Sequence, residues 1–197
     1  MDIHEALGAD ERAIVIGHDW GAVAASGVSS YAPQLFSAVV LLAVTPLRAV
    51  AAVFWPPRPR NLPLIHRQLP HSWYMGVAQI PVLSELFGDP LIRLLWALWA
   101  PGYDYRDDLE SVRKALPDKD RRRAALAWYR AVWNPLYRSR KYAEEQRHAY
   151  DRARVRTLYL RGIPRTGHFL HLEDPHTVNR AIAEFVGRAA TVGSSGR

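Results

Sequence analysis

Asp19 stands in the stretch "AIVIGHDWGAVAAS", residues 13 to 26, where an apolar, largely β-branched run gives way to small residues. Ala13 to Ile16 have the pattern of a strand and Gly21 to Ser26 that of a helix, so the aspartate falls on the tight turn that joins them. A side chain on a glycine-flanked strand-to-helix turn is placed as a nucleophile. The glycines admit a strained backbone, and the helix beyond presents N–H groups to a developing oxyanion. Asp19 is read as that nucleophile; the plainer alternative is a helix N-cap.

The elements that must hold this aspartate lie on either side of it. Residues 2 to 8 read as the end of a helix closed by Gly8, and a strand is expected over 13–18. "SAVVLLAV", 37–44, is apolar throughout, as a parallel strand covered on both faces would be. The prolines of "PPRPRNLP" exclude helix and central strand, which makes 56–65 a linker. Residues 66–150 then read as helices rich in Trp, Tyr, Leu and Arg. Asp89-Pro90 is expected to start one of them, Pro101-Gly102 to stop it, and Asp118 or Asp120 to cap the helix carrying Tyr129. Trp73, Trp96, Trp99 and Trp133 are assigned to the core of this region. "VRTLYLRG", 155–162, returns to strand. A helix follows with Asp174 as cap and Pro175 first, turning Val178, Ile182, Phe185 and Val186 to one face. The fold class is therefore α/β, a mostly parallel sheet with a helical cap insertion. Its parts are 1–55, the linker 56–65, the cap 66–150, a second α/β segment 151–190 and a disordered tail 191–197.

Composition narrows the partners. The 197 residues carry a formal charge of +7 from 26 basic residues, of which only Lys114, Lys119 and Lys141 are lysines. The arginines are scattered, and "RRR" at 121–123 follows Asp118 and Asp120, as a solvated first helical turn does, so no nucleic-acid partner is expected. The longest apolar stretch, "PLIRLLWALWAPG", is interrupted by Arg93 and is shorter than the roughly 20 residues of a bilayer span. It reads as a buried helix, with no membrane partner. There is no cysteine, and the opening lacks a basic-then-apolar pattern, so a cytoplasmic protein is expected. His18 is expected to pack or hydrogen-bond locally, and His171 and His176 flank the last helix. No His, Asp or Glu spacing suggests a metal, and no cofactor is implied.

"GHDWG", "TGHFLHLEDP" and "SWYMGVAQIP" together resemble the α/β-hydrolase superfamily and, within it, the epoxide hydrolases, over nearly the whole chain. The resemblance implies a partial α/β-hydrolase fold and a small-molecule epoxide substrate. It makes His168 of "TGHF" the base that activates water against an ester of Asp19. Tyr74 of "SWYM" and Tyr129 of "AWYRAVW" become the pair gripping the oxirane oxygen. Trp20 is expected to offer its backbone N–H to the oxyanion and its ring to the pocket wall. An aspartate suits this chemistry because a carboxylate attacks saturated carbon bearing a leaving group and forms an alkyl ester that water then cleaves. Haloalkane dehalogenases resemble the same "HDWG"; a departing halide calls for weak donors such as indole N–H, an opening oxirane for the protons of tyrosines.

The resemblance also implies strands before the elbow and a second oxyanion donor from an HG-P type loop, neither of which precedes Asp19 here. Only Ile163, Pro164, Arg165 and Thr166 separate "TLYLRG" from Gly167-His168, and none of them is the acid that would orient His168. Glu173 and Asp174 read as helix-start residues. The chain is accordingly expected to be a weak catalyst and a poorly soluble monomer, possible as a homo-oligomer. A non-catalytic interaction module is the alternative from another class.

Overall fold

A parallel sheet of three strands in the order β1-β2-β3 is built from β1 (Ile14–His18), β2 (Ala38–Leu42) and β3 (Arg156–Leu160). The computed structural model describes residues 2–56, 58–82 and 88–194, without the side chains of 133 and 189–194. Registers run from Ile14↔Ala38 to His18↔Leu42 and from Ala38↔Arg156 to Leu42↔Leu160. All three strands lie within the stretches expected, trimmed by one or two residues at their ends. Before them comes the short helix α1 (Asp2–Ala6), closed by Gly8 at φ 60° as its sequence implied.

The unbroken apolar run of β2 follows from its place between two helices. Helix α2 (Trp20–Tyr31) sets Ala22 and Ala25 against Val39 and Leu41. Val40 and Leu42 point the other way, into a cluster with Leu170, Val178, Ile182 and Phe185. Every residue of β2 is buried, as a strand covered on both faces must be. Small residues bring α2 close to its neighbours: a Cβ on Gly27 would lie 3.4 Å from the Cα of Ala149.

The chain divides into two compact units, one of residues 1–52 with 142–197, the other of 53–141. These bounds differ from a helical insertion over 66–150 at both ends. Residues 142–150, with the short helix Ala143–His148, belong to the sheet-bearing unit because they pack on α2. The expected linker 56–65 is partly helical. A 3-10 turn occupies Pro59–Asn61, and a helix over Leu62–Ala78 begins with Pro63 in its first turn, where the missing N–H costs no hydrogen bond. Pro70 sits inside that helix. The last helix, Pro175–Ser194, runs past 190 into the expected tail, of which 195–197 lie outside the described residues.

In the helical unit, Leu62–Ala78 is followed by helices Gly88–Trp99, Arg106–Ala115 and Lys119–Trp133. Asp118 caps the last of these, accepting from the N–H groups of Asp120 (3.0 Å) and Arg121 (2.8 Å). Gly102, at φ 92°, marks the stop after Trp99. Asp89 is not a cap. The helix begins one residue earlier, and its carboxylate takes the Nη2–H of Arg113 at 3.0 Å, which holds the acid below the usual carboxylate range. Nor is Gly88–Trp99 a buried helix: Trp96 is buried, but Leu94 and Leu98 are exposed. Of the other tryptophans assigned to the core, Trp73 is exposed, Trp99 is half-buried and the side chain of Trp133 lies outside the described residues. Among the described residues no helix is long and apolar enough to cross a membrane.

Candidate active site

Asp19 adopts φ 52°, ψ −122°, a region that non-glycine residues rarely occupy and that costs on the order of 1–3 kcal/mol. The surrounding backbone enforces it. Asp19 donates its N–H to the carbonyl of Leu42 (3.3 Å), and its own carbonyl accepts from Ala22 (2.9 Å) and Val23 (3.2 Å). The two flanking glycines are not equivalent. A Cβ on Gly17 would collide with the carbonyl of Gly21 and come within 2.7 Å of the Cα of Ala22, whereas nothing lies within 4 Å of one on Gly21. Close approach of strand to helix therefore demands glycine at 17 only.

The carboxylate of Asp19 makes no capping hydrogen bond to α2, so the plainer reading of it as an N-cap does not describe the geometry. It is half-buried, and its Oδ1 lies 3.6 Å from Nε2 of His168. That exceeds a hydrogen bond but leaves the two groups side by side. Trp20 is the first residue of α2, so its N–H belongs to the helix's first turn, directly after Asp19.

His168 is held by a loop with its own internal order. Thr166 returns both its N–H (3.1 Å) and its hydroxyl (3.0 Å) to the carbonyl of Ile163, which itself packs into the sheet's apolar cluster. The N–H of Gly167 donates to Oε2 of Glu173 at 2.8 Å. His18, the residue before Asp19, donates Nε2–H to the backbone carbonyl of His168 at 3.0 Å. Because a carbonyl only accepts, that bond fixes the His18 tautomer. Its ring lies 4.8 Å from that of His168 and 4.4 Å from that of His171. Burial pushes the His168 imidazole down from its ordinary 6.5 to about 4; His18 and His171 act in the same direction and Asp19 against it. His168 is neutral at pH 7, the state a general base requires.

Sequence reading missed two participants. Glu173 is a clamp on the histidine loop, and its second oxygen, Oε1, is buried with no hydrogen-bond partner among the described residues. Its signal was an acid six residues after Gly167, between Leu172 and the capping Asp174, which accepts from Thr177 at 3.0 Å. His18 was expected to bond only locally, yet it reaches across 150 positions to the histidine loop.

Tyr74 and Tyr129 lie in the helical unit, edge to face with centroids 5.7 Å apart. Tyr74 also meets the ring of Trp99 at 4.9 Å. Their helices are tied by Gln79, which donates to the carbonyl of Tyr129 (3.1 Å), and by the buried Arg130, whose Nε–H donates to the carbonyl of Ala78 (3.0 Å). Both tyrosines line a cavity of about 190 Å³. The structure thus brings Asp19, Trp20 and His168 together in one unit and pairs Tyr74 with Tyr129 in the other.

Residues 1–181 match the sequence profile of the alpha/beta hydrolase family. The chain belongs to that family. This α/β hydrolase is 24% identical over 208 residues to the AB hydrolase superfamily protein YfhM of Bacillus subtilis (strain 168), covering 90% of the chain and 66% of that relative. The chain thus spans just under two thirds of the relative's length. A solved structure named "putative epoxide hydrolase" from Pseudomonas aeruginosa superposes with a TM-score of 0.69 at 22% identity, over 96% of this chain and 70% of the other. A point mutant of haloalkane dehalogenase DatA from Agrobacterium tumefaciens C58 superposes with a TM-score of 0.58 at 15% identity, over 94% and 70%. At such identities the likeness establishes the fold, an α/β-hydrolase fold represented here by three parallel strands and their helices.

Proposed function

We propose that this α/β hydrolase opens a small-molecule epoxide to a vicinal diol through an alkyl ester on Asp19. The observation that carries the reading is a strained aspartate whose carboxylate is not spent on capping and lies beside a neutral imidazole. A carboxylate oxygen of Asp19 attacks one oxirane carbon, the C–O bond breaks, and the alkoxide takes a proton from Tyr74 or Tyr129. His168 then removes a proton from water as the water oxygen adds to the ester carbonyl. The backbone N–H of Trp20 receives the resulting oxyanion. Collapse of the tetrahedral intermediate breaks the bond from the ester carbonyl carbon to the alkyl oxygen; the diol leaves with one oxygen that came from Asp19 and with the proton held by His168, and the proton of the regenerated Asp19 carboxyl group restores the tyrosinate.

The loop before His168 carries no acid, and the carboxylate nearest to it in sequence, Glu173, engages Gly167 rather than the imidazole.

Single turnover of styrene oxide in ¹⁸O water tests the proposal. The expected result is unlabelled diol with ¹⁸O in the Asp19 carboxylate, and no ester in Asp19→Asn. Label appearing first in the diol overturns covalent catalysis. Halide release from a haloalkane outrunning diol formation reassigns the site to dehalogenation. Turnover of neither substrate favours a non-catalytic interaction module.

A further inference from the structure

The cavity of the helical unit holds a charged residue that the proposed reaction does not use. Its walls are apolar and aromatic, with Leu91, Leu95, Trp96, Trp99 and Leu126 beside Tyr74 and Tyr129, yet Arg122 also lines it. The neighbouring arginines are matched with carboxylates: Arg121 lies 4.0 Å from Asp118 and Arg123 3.5 Å from Asp120. Arg122 differs. Its Nε–H donates to the backbone carbonyl of Asp118 (3.1 Å) and Nη2 approaches that of Pro117 (3.5 Å), while the Asp118 carboxylate is engaged by the helix N-terminus. Among the described residues Arg122 has no carboxylate within 4.0 Å, although it and the Asp118 carboxylate attract each other through space. Two of the five N–H donors of the guanidinium face backbone carbonyls, which leaves three.

Gly88 shows how closely this side chain is seated. A Cβ there would lie 2.7 Å from Cδ of Arg122 and 3.4 Å from Nη1, so the helix start at Gly88 closes over the arginine. A cation set into an apolar wall recognises an anion on an apolar body, and a carboxylate matches the planar fork of a guanidinium. An apolar cavity of about 150 Å³ accepts benzene, and this pocket, which is partly open to solvent, measures about 190 Å³, room for a body of one aromatic ring.

We propose that this cavity binds a small monocarboxylate with an aryl or branched alkyl body, the body against the Leu and Trp side chains and the carboxylate on Arg122. This binding site goes beyond the epoxide reading, concerns this cavity alone and does not rest on that reading.

Equilibrium binding tests it without turnover. Fluorine NMR titrations compare 4-fluorophenylacetate with neutral 4-fluorophenylacetamide on the wild-type chain, Arg122→Gln, Arg122→Lys and Asp19→Asn, each checked for native circular dichroism. The acid should bind at least about tenfold more tightly than the amide. Arg122→Gln should abolish that preference, Arg122→Lys should keep part of it, and Asp19→Asn should leave it unchanged. Equal affinity for acid and amide in the wild type, or a preference that survives in Arg122→Gln, overturns the inference. A retained preference beside failed ester formation would refute the epoxide chemistry and leave this site standing.

Discussion

Asp19 holds its unusual backbone because one neighbour is irreplaceable and the other is not. Gly17→Ala drives a methyl group into the carbonyl of Gly21 and should destabilise the chain by several kcal/mol, or prevent folding. Gly21→Ala meets open space in a helix and should be neutral or stabilising by up to about 1 kcal/mol. Urea unfolding of the two variants distinguishes them. His168 makes the second prediction. The unfolded chain protonates this imidazole near 6.5 and the folded chain only near 4, so unfolding takes up a proton between those values. Its contribution to stability is fully present above 6.5 and is lost as pH falls toward 4, by up to about 3 kcal/mol. His168→Gln should flatten that part of the stability profile relative to the wild type. At this scale the sequence was informative where a residue acts through its own backbone, as Asp19 does. It was silent on the tautomer of His18 and the burial of His168, which depend on packing brought from far along the chain.

Local rules foretold the punctuation of the elements well. Asp118, Gly102 and Asp174 stand at helix ends as their side-chain chemistry requires, and the covered faces of β2 were visible in an unbroken apolar run. Proline misled. Treating every proline as a breaker turned the start of Leu62–Ala78 into a linker, although a first-turn proline removes no bond. Asp89 misled for another reason: an arginine on a different helix competes for the carboxylate, and no window of sequence contains both. The clamp between Glu173 and Gly167 was equally hidden, because an acid beside a capping residue looks like part of the cap. Glu173→Ala should cost about 1–3 kcal/mol by stranding the Gly167 N–H, while Glu173→Gln, which retains an accepting oxygen, should recover most of that loss. Thermal unfolding of the two variants decides it, with equal loss in both showing that the charge and not the acceptor matters.

For the chain as a whole, the sequence made clear that an α/β sheet is interrupted by helices, but not where the interruption ends. Residues 142–150 are helical and polar like the insertion, and only their packing on α2 assigns them to the sheet-bearing unit. The pairing of Ala38 with Arg156 spans that entire interruption. β2 and β3 therefore find each other only after a long loop has closed, and such contacts form late and slowly. If the helical unit folds first, it shortens the effective loop, so its own stability sets the pace of sheet completion. Asp118→Ala, which removes a helix cap worth about 1 kcal/mol at a position remote in sequence from every strand, should then slow refolding measured by stopped-flow more than it speeds unfolding. The insertion would in that case serve the nascent chain as a splint, holding apart and then delivering the two halves of a sheet to which none of its described residues contributes a strand.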